Sequence, residues 1–467
     1  MLQVADTVAV QRGAHLLKAG ADLLVNRATI EFPGAARGSY TFTSLPNLER
    51  VVYQQYQQAF GDTRVDQFNP NLGLFVQDEW TLHARVTVNA GVRYDLQWLP
   101  DPIALDVNNV SPRIGAAWTT ADATLVVRAS AGSYFDRIPL RATSNALQRD
   151  GERYRVAVLS FGEDAAPVFP HVLAAFPADQ VSAITTIDPD VPNGRSDQVG
   201  LQVERALGGV ASVSAGYSRV RGRRILMSRN VNVPTLTASQ AASLGVPNLG
   251  RPDARFANVS RYEAIGDSWF NGLTLSLHTL ARDWGSVRVS YTLSEAVDTA
   301  GNAFFSSPQD NFNVAAEKGP SDNDQRHRLV VSGAIGGAAL RQGALAALGG
   351  VELGYVASYA TGVPFNVLAG SDLNGDTSNN DRPPGVGRNS GRQSATSTLD
   401  LRLSRTFFLR GGGRLQAMIE AFNVLNHVNV IVVNNTFGTD ATPRPGFGRP
   451  TLAGDARQLQ LGIRWTF

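Results

Sequence analysis

The chain has 467 residues, of which 45 are Gly and none is Cys, and 18% of its residues are charged, with a formal net charge of +2. This composition excludes structural disulfides and thiolate metal sites, and it is neither that of a disordered protein nor basic enough to indicate a nucleic-acid partner. No run of about 18 consecutive apolar residues occurs, so a membrane-spanning helix is not predicted. The length suits several soluble domains or one large β-barrel.

Segments in which apolar and polar residues alternate recur along the whole chain. Val88, Ala90 and Val92 alternate with Asn89 and Gly91, and the same two-residue period returns at 273–277, 287–293 and 399–403. That period places apolar side chains on one face of an extended strand. We therefore predict an all-β fold with about 17 antiparallel strands. Their predicted bounds are 1–10, 13–26, 38–44, 50–60, 70–80, 85–97, 111–119, 123–135, 195–206, 210–221, 267–281, 286–295, 326–337, 350–361, 397–409, 413–424 and 456–467.

The connections between these strands alternate in length. Short turns are predicted at 81–84, 119–122, 206–209, 282–285 and 410–412. Long connections are predicted at 98–110, 136–194, 222–266, 296–325, 362–396 and 425–455. An up-and-down sheet with this pattern has its short turns at one end and its long loops at the other, which is typical of outer-membrane barrels. A soluble β-sandwich is the alternative, but it has no reason to sort its loops in this way.

The final strand shows the strictest alternation. Leu459, Leu461, Ile463, Trp465 and Phe467 alternate with polar residues or Gly up to the C-terminus. A strand that ends on Phe, with Trp two positions before it, resembles the closing strand of bacterial outer-membrane β-barrels, whose assembly machinery reads such a terminal Phe. Trp465 and Phe467 are therefore the predicted assembly signal.

The six Trp residues agree with a membrane location. Trp80, Trp118, Trp284 and Trp465 fall at or beside short-turn ends, Trp98 and Trp269 fall at long-loop ends, and none lies in the middle of a predicted strand. Amphipathic rings form such girdles at membrane interfaces, whereas soluble cores scatter Trp along strands.

The predicted number of strands decides which face of the sheet meets lipid. A sheet of about 17 or more strands encloses an interior too wide for side chains to fill, so its polar face must line the lumen. The charged residues then predicted to face the lumen are Arg93, Arg128, Glu204, Arg288, Glu352, Asp400, Arg402, Glu420 and Arg464. In a soluble sheet the same residues would form the solvated face.

Longer segments resemble the barrel of TonB-dependent outer-membrane receptors, and most closely the large receptors of Oar type, which carry a carboxypeptidase-regulatory-like domain ahead of the plug. The resemblance rests on residues 75–97 (FVQDEWTLHARVTVNAGVRYDLQ), 111–118, 268–277, 289–298, 324–333 and 422–429, in that order. It implies a 22-stranded transmembrane barrel that holds a plug and takes up a scarce nutrient with energy from an inner-membrane TonB complex.

The beginning of the chain departs from that family. No plug-like segment, coupling box, regulatory-like domain or signal peptide is visible in the sequence. We therefore predict that residues 1–467 are the C-terminal portion of a receptor barrel, about 17 of 22 strands, and that the preceding parts are encoded upstream.

Few residues indicate chemistry. The six His are far apart, and His278 and His327 have no evident Ser or Asp partner, so an outer-membrane enzyme is not predicted. Asp372, Asn374 and Asp376 resemble the start of a calcium loop, although Thr377 and Pro383 break that pattern. Asx turns in a polar loop are the alternative. Asn residues in FNVLNH (422–427) are interpreted as capping the following loop rather than as a ligand site.

The predicted function is energised uptake of a siderophore, cobalamin, glycan or peptide across the outer membrane of a Gram-negative-type bacterium. The predicted partners are outer-membrane lipid, the barrel assembly machinery, the TonB complex through the upstream part, and a ligand at the outer loops. No cofactor is predicted. The alternative is a non-energised pore or an adhesion or scaffold barrel, because long loops suit surface contacts as well as ligand capture.

Overall fold

Strands dominate the computed structural model, which describes residues 1–42, 44–279, 284–336, 349–409 and 412–467. One large sheet contains 17 strands, the predicted number, although β10 (Ile184–Ile187) and β15 (Gly319–Pro320) are short additions to it. None of the helices within the described residues is long and apolar enough to cross a bilayer. The fold is therefore all-β, as predicted.

Fifteen long strands form the body of this sheet. They are β1 (Leu2–Arg12), β2 (His15–Glu31), β5 (Arg64–His83), β6 (Val86–Gln97), β7 (Val110–Thr119), β8 (Leu125–Phe135), β11 (Arg195–Leu207), β12 (Ala211–Asn230), β13 (Val259–Thr279), β14 (Gly285–Asp298), β16 (His327–Gly336), β17 (Val351–Ala360), β20 (Thr396–Phe408), β21 (Arg414–Phe422) and β24 (Gln458–Thr466).

Each long strand pairs antiparallel with the next long strand along the chain. The predicted up-and-down order is therefore confirmed. β1 and β24 are the edge strands, and within the described residues they do not pair with each other.

Connections at one end of the sheet are short. Gly13 and Ala14 join β1 to β2, and Gly208, Gly209 and Val210 join β11 to β12. Gly208 and Gly209 have φ of 54° and 66°, which side chains with a Cβ rarely adopt, so glycine suits this tight turn. Two predicted turns, 282–285 and 410–412, lie partly outside the described residues.

Several strands extend further than predicted, mostly toward the long loops, although β5 also continues to His83 at its short-turn end. β5 starts at Arg64 rather than at 70, β12 ends at Asn230 rather than at 221, and β13 starts at Val259 rather than at 267. The extensions lack a clean alternation because both of their faces meet loops or water there. Periodicity therefore underestimates these strands.

Two predicted strands lie outside the main sheet. The segments predicted at 38–44 and 50–60 contain β3 (Ser39–Thr41) and β4 (Gln55–Gly61). These two strands pair with each other, and β4 pairs with β9 (Tyr154–Leu159), in a separate sheet. Tyr53, Tyr56 and Leu159 form a small core of their own there. The prediction failed because an alternating segment of a large loop looks the same in sequence as a spanning strand.

The remaining elements also belong to the long loops. They are α1 (Leu45–Glu49), α2 (Leu140–Gln148), α3 (Ala238–Leu244), 3₁₀ helices at Pro247–Gly250 and Val314–Glu317, β18 (Pro364–Phe365) paired with β19 (Gly391–Arg392), and β22 (Val430–Val433) paired with β23 (Pro450–Ala453). The long loops are thus structured.

Candidate functional site at the long-loop end of the sheet

The register carries two distinct faces across the sheet. Leu461 pairs with Ile419, which in turn pairs with Leu403. One residue away, Gln460 pairs with Glu420, which pairs with Arg402. We call these the apolar face and the polar face. Leu461 is 79% exposed, so the apolar face is open to its surroundings.

The predicted lumen-facing residues share the polar face. By pairing and alternation, this face contains Arg93, Arg128, Glu204, Arg288, Glu352, Asp400, Arg402, Glu420 and Arg464. Two opposite-charge pairs form among them, Arg128–Glu204 at 3.1 Å and Arg402–Glu420 at 3.6 Å. The polar face is therefore charged along its length and partly neutralised across strands.

The loop 136–194 folds back over the polar face at its long-loop end. Thr143 of α2 donates a hydrogen bond from Oγ1 to Oε1 of Gln67 at 2.7 Å, and Gln67 Nε2 donates to the carbonyl of Leu140 at 3.0 Å. Gln97 accepts from the backbone N–H of Ile138 at 2.8 Å and donates to its carbonyl at 3.0 Å. Side-chain amides of two strands thus hold the loop in place.

A cluster of polar side chains is buried beneath this loop. Asn69, Asn71, Asn109 and Ser111 are at most 4% exposed, and each has at least one side-chain polar atom without a hydrogen-bond partner among the described residues. Both polar atoms of the Asn69 amide are unpartnered. Unpartnered buried groups are costly and usually bind water or a ligand. We call these four residues the amide cluster. Their side chains can donate and accept hydrogen bonds at the long-loop end of the sheet, which we call its mouth.

Three arginines, of which Arg382 and Arg388 are buried and Arg392 is exposed, tie the loop 299–326 and the end of β14 to the loop 361–395. Arg382 donates to both carboxylate oxygens of Glu317, at 3.0 and 2.8 Å. Arg388 binds Asp298, and Arg392 binds Asp324 at 2.7 Å. Bidentate guanidinium pairs are strong and directional, and they also fix the relative position of the loops. We call Arg382, Arg388 and Arg392 the arginine lock.

The acidic loop proposed for calcium is closed by its own backbone. Asp372 accepts hydrogen bonds from the N–H groups of Gly375 and Thr377, at 2.7 and 2.8 Å, and Asn374 accepts from that of Asp376 at 2.9 Å. These are the contacts of Asx turns. Within the described residues, no group of three His, Cys, Asp or Glu side chains is arranged to hold a metal ion. Calcium at Asp372, Asn374 and Asp376 stays a prediction that these contacts do not support.

Asp376 is the perturbed carboxyl of this loop. Its burial raises the pKa of Asp376, and the nearby Asp372 and Asp381 raise it further, against a hydrogen bond from the Ser378 N–H that lowers it. Asn311 also donates to Asp376 at 2.6 Å. The loop therefore holds this carboxyl more easily in its neutral form.

An aromatic cluster fills the small sheet of the long loops. Tyr40 lies 4.8 Å from Tyr53 and 4.6 Å from Tyr56, measured between ring centroids. Burial, together with these two phenols, raises the pKa of Tyr40 to about 12. The cluster joins the loop 32–63 to the loop 136–194, because Tyr53 Oη also donates to the carbonyl of Pro167 at 2.7 Å.

The Trp residues have the predicted locations with one exception. Trp98, Trp118, Trp284 and Trp465 lie within one residue of a strand end, and Trp80 lies three residues before the end of β5. Trp269, however, lies in the middle of β13, because that strand starts eight residues earlier than predicted. Trp465 and Phe467, the predicted assembly signal, have ring centroids 5.8 Å apart, and Phe467 is fully exposed.

The remaining predicted positions fit structural roles. His278 lies on the polar face opposite Ser212 and Arg288, whereas His327 Nδ1 lies 2.8 Å from Tyr291 Oη. Asn423 accepts from the N–H of His427 and donates to its carbonyl, both at 3.0 Å, as the capping interpretation of FNVLNH expects.

Sequence reasoning missed the amide cluster and the arginine lock. The ion pairs of the lock join residues far apart in the chain, such as Glu317 and Arg382, 65 positions apart. Neither segment has a motif that indicates its partner. The available signal for the arginine lock was the run NDRPPGVGRN (380–389), which places two Arg in a loop rich in Pro and Gly but does not indicate their partners.

Comparison with known proteins adds to this geometry. Residues 1–102, 99–387 and 384–460 match the family described as the outer membrane beta barrel domain. The TonB-dependent transporter Oar of Myxococcus xanthus is 36% identical over 97 residues, which cover 18% of this chain and 9% of Oar.

Two solved structures share the fold. The outer membrane transporter YddB of Escherichia coli aligns over 99% of this chain and 54% of its own, with a TM-score of 0.62 and 13% identity. The ferripyoverdine receptor of Pseudomonas aeruginosa, bound to ferripyoverdine, aligns over 99% and 47%, with a TM-score of 0.56 and 13% identity. The chain thus spans about half the length of these solved proteins.

Proposed function

We propose that this chain, which belongs to the outer membrane β-barrel family, captures and takes up a nutrient in an energised step. It is an outer-membrane protein with a barrel like those of TonB-dependent transporters. The ligand class that we propose is a siderophore, cobalamin, glycan or peptide. The transporters and receptors that it resembles are not enzymes, in keeping with the lack of a predicted catalytic motif.

The polar mouth of the sheet, which the loop 136–194 partly covers, is the observation that carries this proposal. The loop 136–194 covers the polar face, and the amide cluster lies beneath it with unpartnered polar atoms. Convergent polar groups beneath a fixed loop suit a ligand that presents hydroxyl, carbonyl or amide groups. We propose that the nine charged residues of the polar face line the lumen below this mouth.

The arginine lock supports ligand capture rather than a loose surface loop. It fixes the loops 299–326 and 361–395 relative to each other, and preorganisation lowers the entropic cost of binding. We propose that the apolar face meets outer-membrane lipid, that the Trp residues form its interface girdles, and that the barrel assembly machinery recognises Trp465 and Phe467. Energy would come from an inner-membrane TonB complex.

Uptake measured with and without a protonophore tests the proposal. The full-length protein is expressed in a strain that lacks its own outer-membrane uptake receptors, and ferric siderophores, cobalamin, oligosaccharides and peptides are supplied one class at a time. We expect accumulation of one class, which stops when the protonophore is added.

The alternatives give different results in the same experiment. Uptake that continues unchanged with the protonophore would identify a non-energised pore. No uptake of any class, with the protein correctly assembled at the surface, would favour an adhesion or scaffold barrel.

A further inference from the structure

Four arginines share the apolar face near the long loops. Arg219, Arg221 and Arg223 follow one another on one face of β12, after Val213, Ala215 and Tyr217. Arg195 of β11 pairs with Arg223, and Val199 pairs with Arg219, so Arg195 lies on the same face. Side chains on this face point away from the charged polar face, toward the bilayer.

The position of these arginines along β12 corresponds to the membrane interface. A spanning strand needs about 9 to 11 residues. β12 starts at Ala211, so Arg219 lies near the upper edge of the hydrocarbon layer, and Arg221 and Arg223 lie beyond it. Trp269 pairs with Arg221, and its ring is 5.6 Å from the Arg221 guanidinium and 4.7 Å from the Lys318 ammonium. Trp is typical of that interface.

The positive charge of this group is only partly neutralised. Asp197 pairs with Arg195 at 2.8 Å and with Arg223 at 3.8 Å, and Asp267 lies opposite Arg223 in the register. Arg219 and Arg221 have no acidic partner in the part of the chain that the structure describes. The Nε of Arg221 is buried without a hydrogen-bond partner. Cations with unused donors remain beside the headgroups.

A groove that is part apolar and part polar lies directly beside the arginines. It has a volume of about 540 Å³, and its lining includes apolar Ile114, Ala131 and Val199, polar Ser133 and Asp197, and Arg219, Arg221 and Arg223. Ile114 pairs with Ala131, and Ala131 pairs with Val199, so the three belong to the apolar face. The groove therefore continues from the hydrocarbon region to the cationic group.

We propose that this surface binds one phosphorylated lipid of the outer leaflet, with its phosphate on Arg219, Arg221 and Arg223 and an acyl chain in the groove. Guanidinium groups match phosphate oxygens in bidentate geometry. The apolar part of the groove, at Ile114, Ala131 and Val199, distinguishes a lipid from a free anion, because only a lipid fills both parts of the site. The site is separate from the mouth on the polar face, so it does not depend on the uptake function.

Lipid binding to the purified full-length protein in detergent tests the proposal. Native mass spectrometry measures binding of a lipid A-type phosphorylated lipid, of its dephosphorylated form and of inorganic phosphate. The change is Arg219→Gln, Arg221→Gln and Arg223→Gln, singly and together. Each arginine at an anionic lipid surface contributes about a fivefold change in affinity, so we expect about a hundredfold loss in the triple variant.

Arg205→Gln is the matched control. Arg205 lies on the same face of β11 but near the short turn, where it pairs with Val213 and Leu125. We expect the Arg205→Gln variant to bind the phosphorylated lipid with the same affinity as the unchanged protein. Heat-modifiable migration on a gel checks that every variant is folded.

Three results would overturn the proposal. The first is unchanged lipid binding by a folded triple variant, and the second is equal binding of the phosphorylated and dephosphorylated lipids. The third is inorganic phosphate binding as tightly as the lipid, since that would leave the groove without a role.

Discussion

Breaking the pair between Glu317 and Arg382 is the sharpest test of how the long loops are held. Both side chains are only 7% exposed, and two N–H···O bonds of 2.8 and 3.0 Å join them. Glu317 also accepts the backbone N–H of Gln309 at 3.1 Å. Glu317→Ala removes all three hydrogen bonds and leaves the guanidinium buried without its counterion.

The expected magnitude follows from the burial of the pair. Removing one partner of a buried ion pair costs about 3 to 5 kcal/mol, because the remaining charge is uncompensated. Replacing both partners by apolar residues of similar volume costs much less. We therefore expect Glu317→Leu combined with Arg382→Met to be less destabilising than Glu317→Ala alone. The loss concerns local opening of the loops and leaves the strand ladder intact.

Hydrogen exchange of backbone amides measures this local opening. About 3 kcal/mol corresponds to more than a hundredfold faster exchange. We expect that change in the residues 299–326 and 361–395, up to the limit set by their opening free energy, and little change in β20 or β21. The matched control is Asp253→Ala, which breaks the ion pair between Asp253 and Arg255. The two atoms of that pair are 2.8 Å apart, and the side chains of Asp253 and Arg255 are 36% and 80% exposed. An exposed pair contributes little, so no measurable change is expected there.

Two outcomes would refute the reasoning. Exchange in both loops that stays within about threefold of the unchanged protein after Glu317→Ala would mean that the pair does not hold them. Faster exchange of the double apolar variant than of Glu317→Ala would mean that packing, rather than the uncompensated charge, dominates.

Three further predictions concern facing, topology and pH. Leu461→Arg on the apolar face should lower the free energy of unfolding by about 2 to 4 kcal/mol near the membrane midplane, whereas Gly462→Arg on the polar face should lower it less. Equal folded fractions of the two variants in lipid vesicles would contradict the assignment of the apolar face to lipid. An epitope tag at Gly162, in the long loop 136–194, should bind antibody on intact cells and a tag at Gly209 should not, and labelling at Gly209 would invert the topology. Because burial raises the pKa of Asp376, its contribution to loop stability is largest below the usual pKa of 3.8 and falls as pH rises through the folded pKa, so Asp376→Asn should abolish this pH dependence of hydrogen exchange. A pH dependence that Asp376→Asn leaves unchanged would exclude this carboxyl as its source. Protection gained with calcium at neutral pH would support the cation hypothesis.

The sequence alone determined the faces and order of the strands. The alternation at 459–467 and at 86–96 fixes which side chains share a face, because a strand has a period of two residues and a shift of one reverses every side chain. The lengths of the connections then fixed the up-and-down order. Both features are local, so they can be read without knowing which segments meet.

Only the tertiary structure decided where the strands end and how the loops close over the sheet. The extensions of β5, β12 and β13 lie beyond the apolar band, where no face is selected for hydrophobicity and the periodic signal disappears. β3 and β4 alternate like spanning strands, but they pair with each other, and β4 pairs with β9 of another loop. The arginine lock and the amide cluster join residues from distant segments, and the burial that gives them their energy exists only after those segments have packed together.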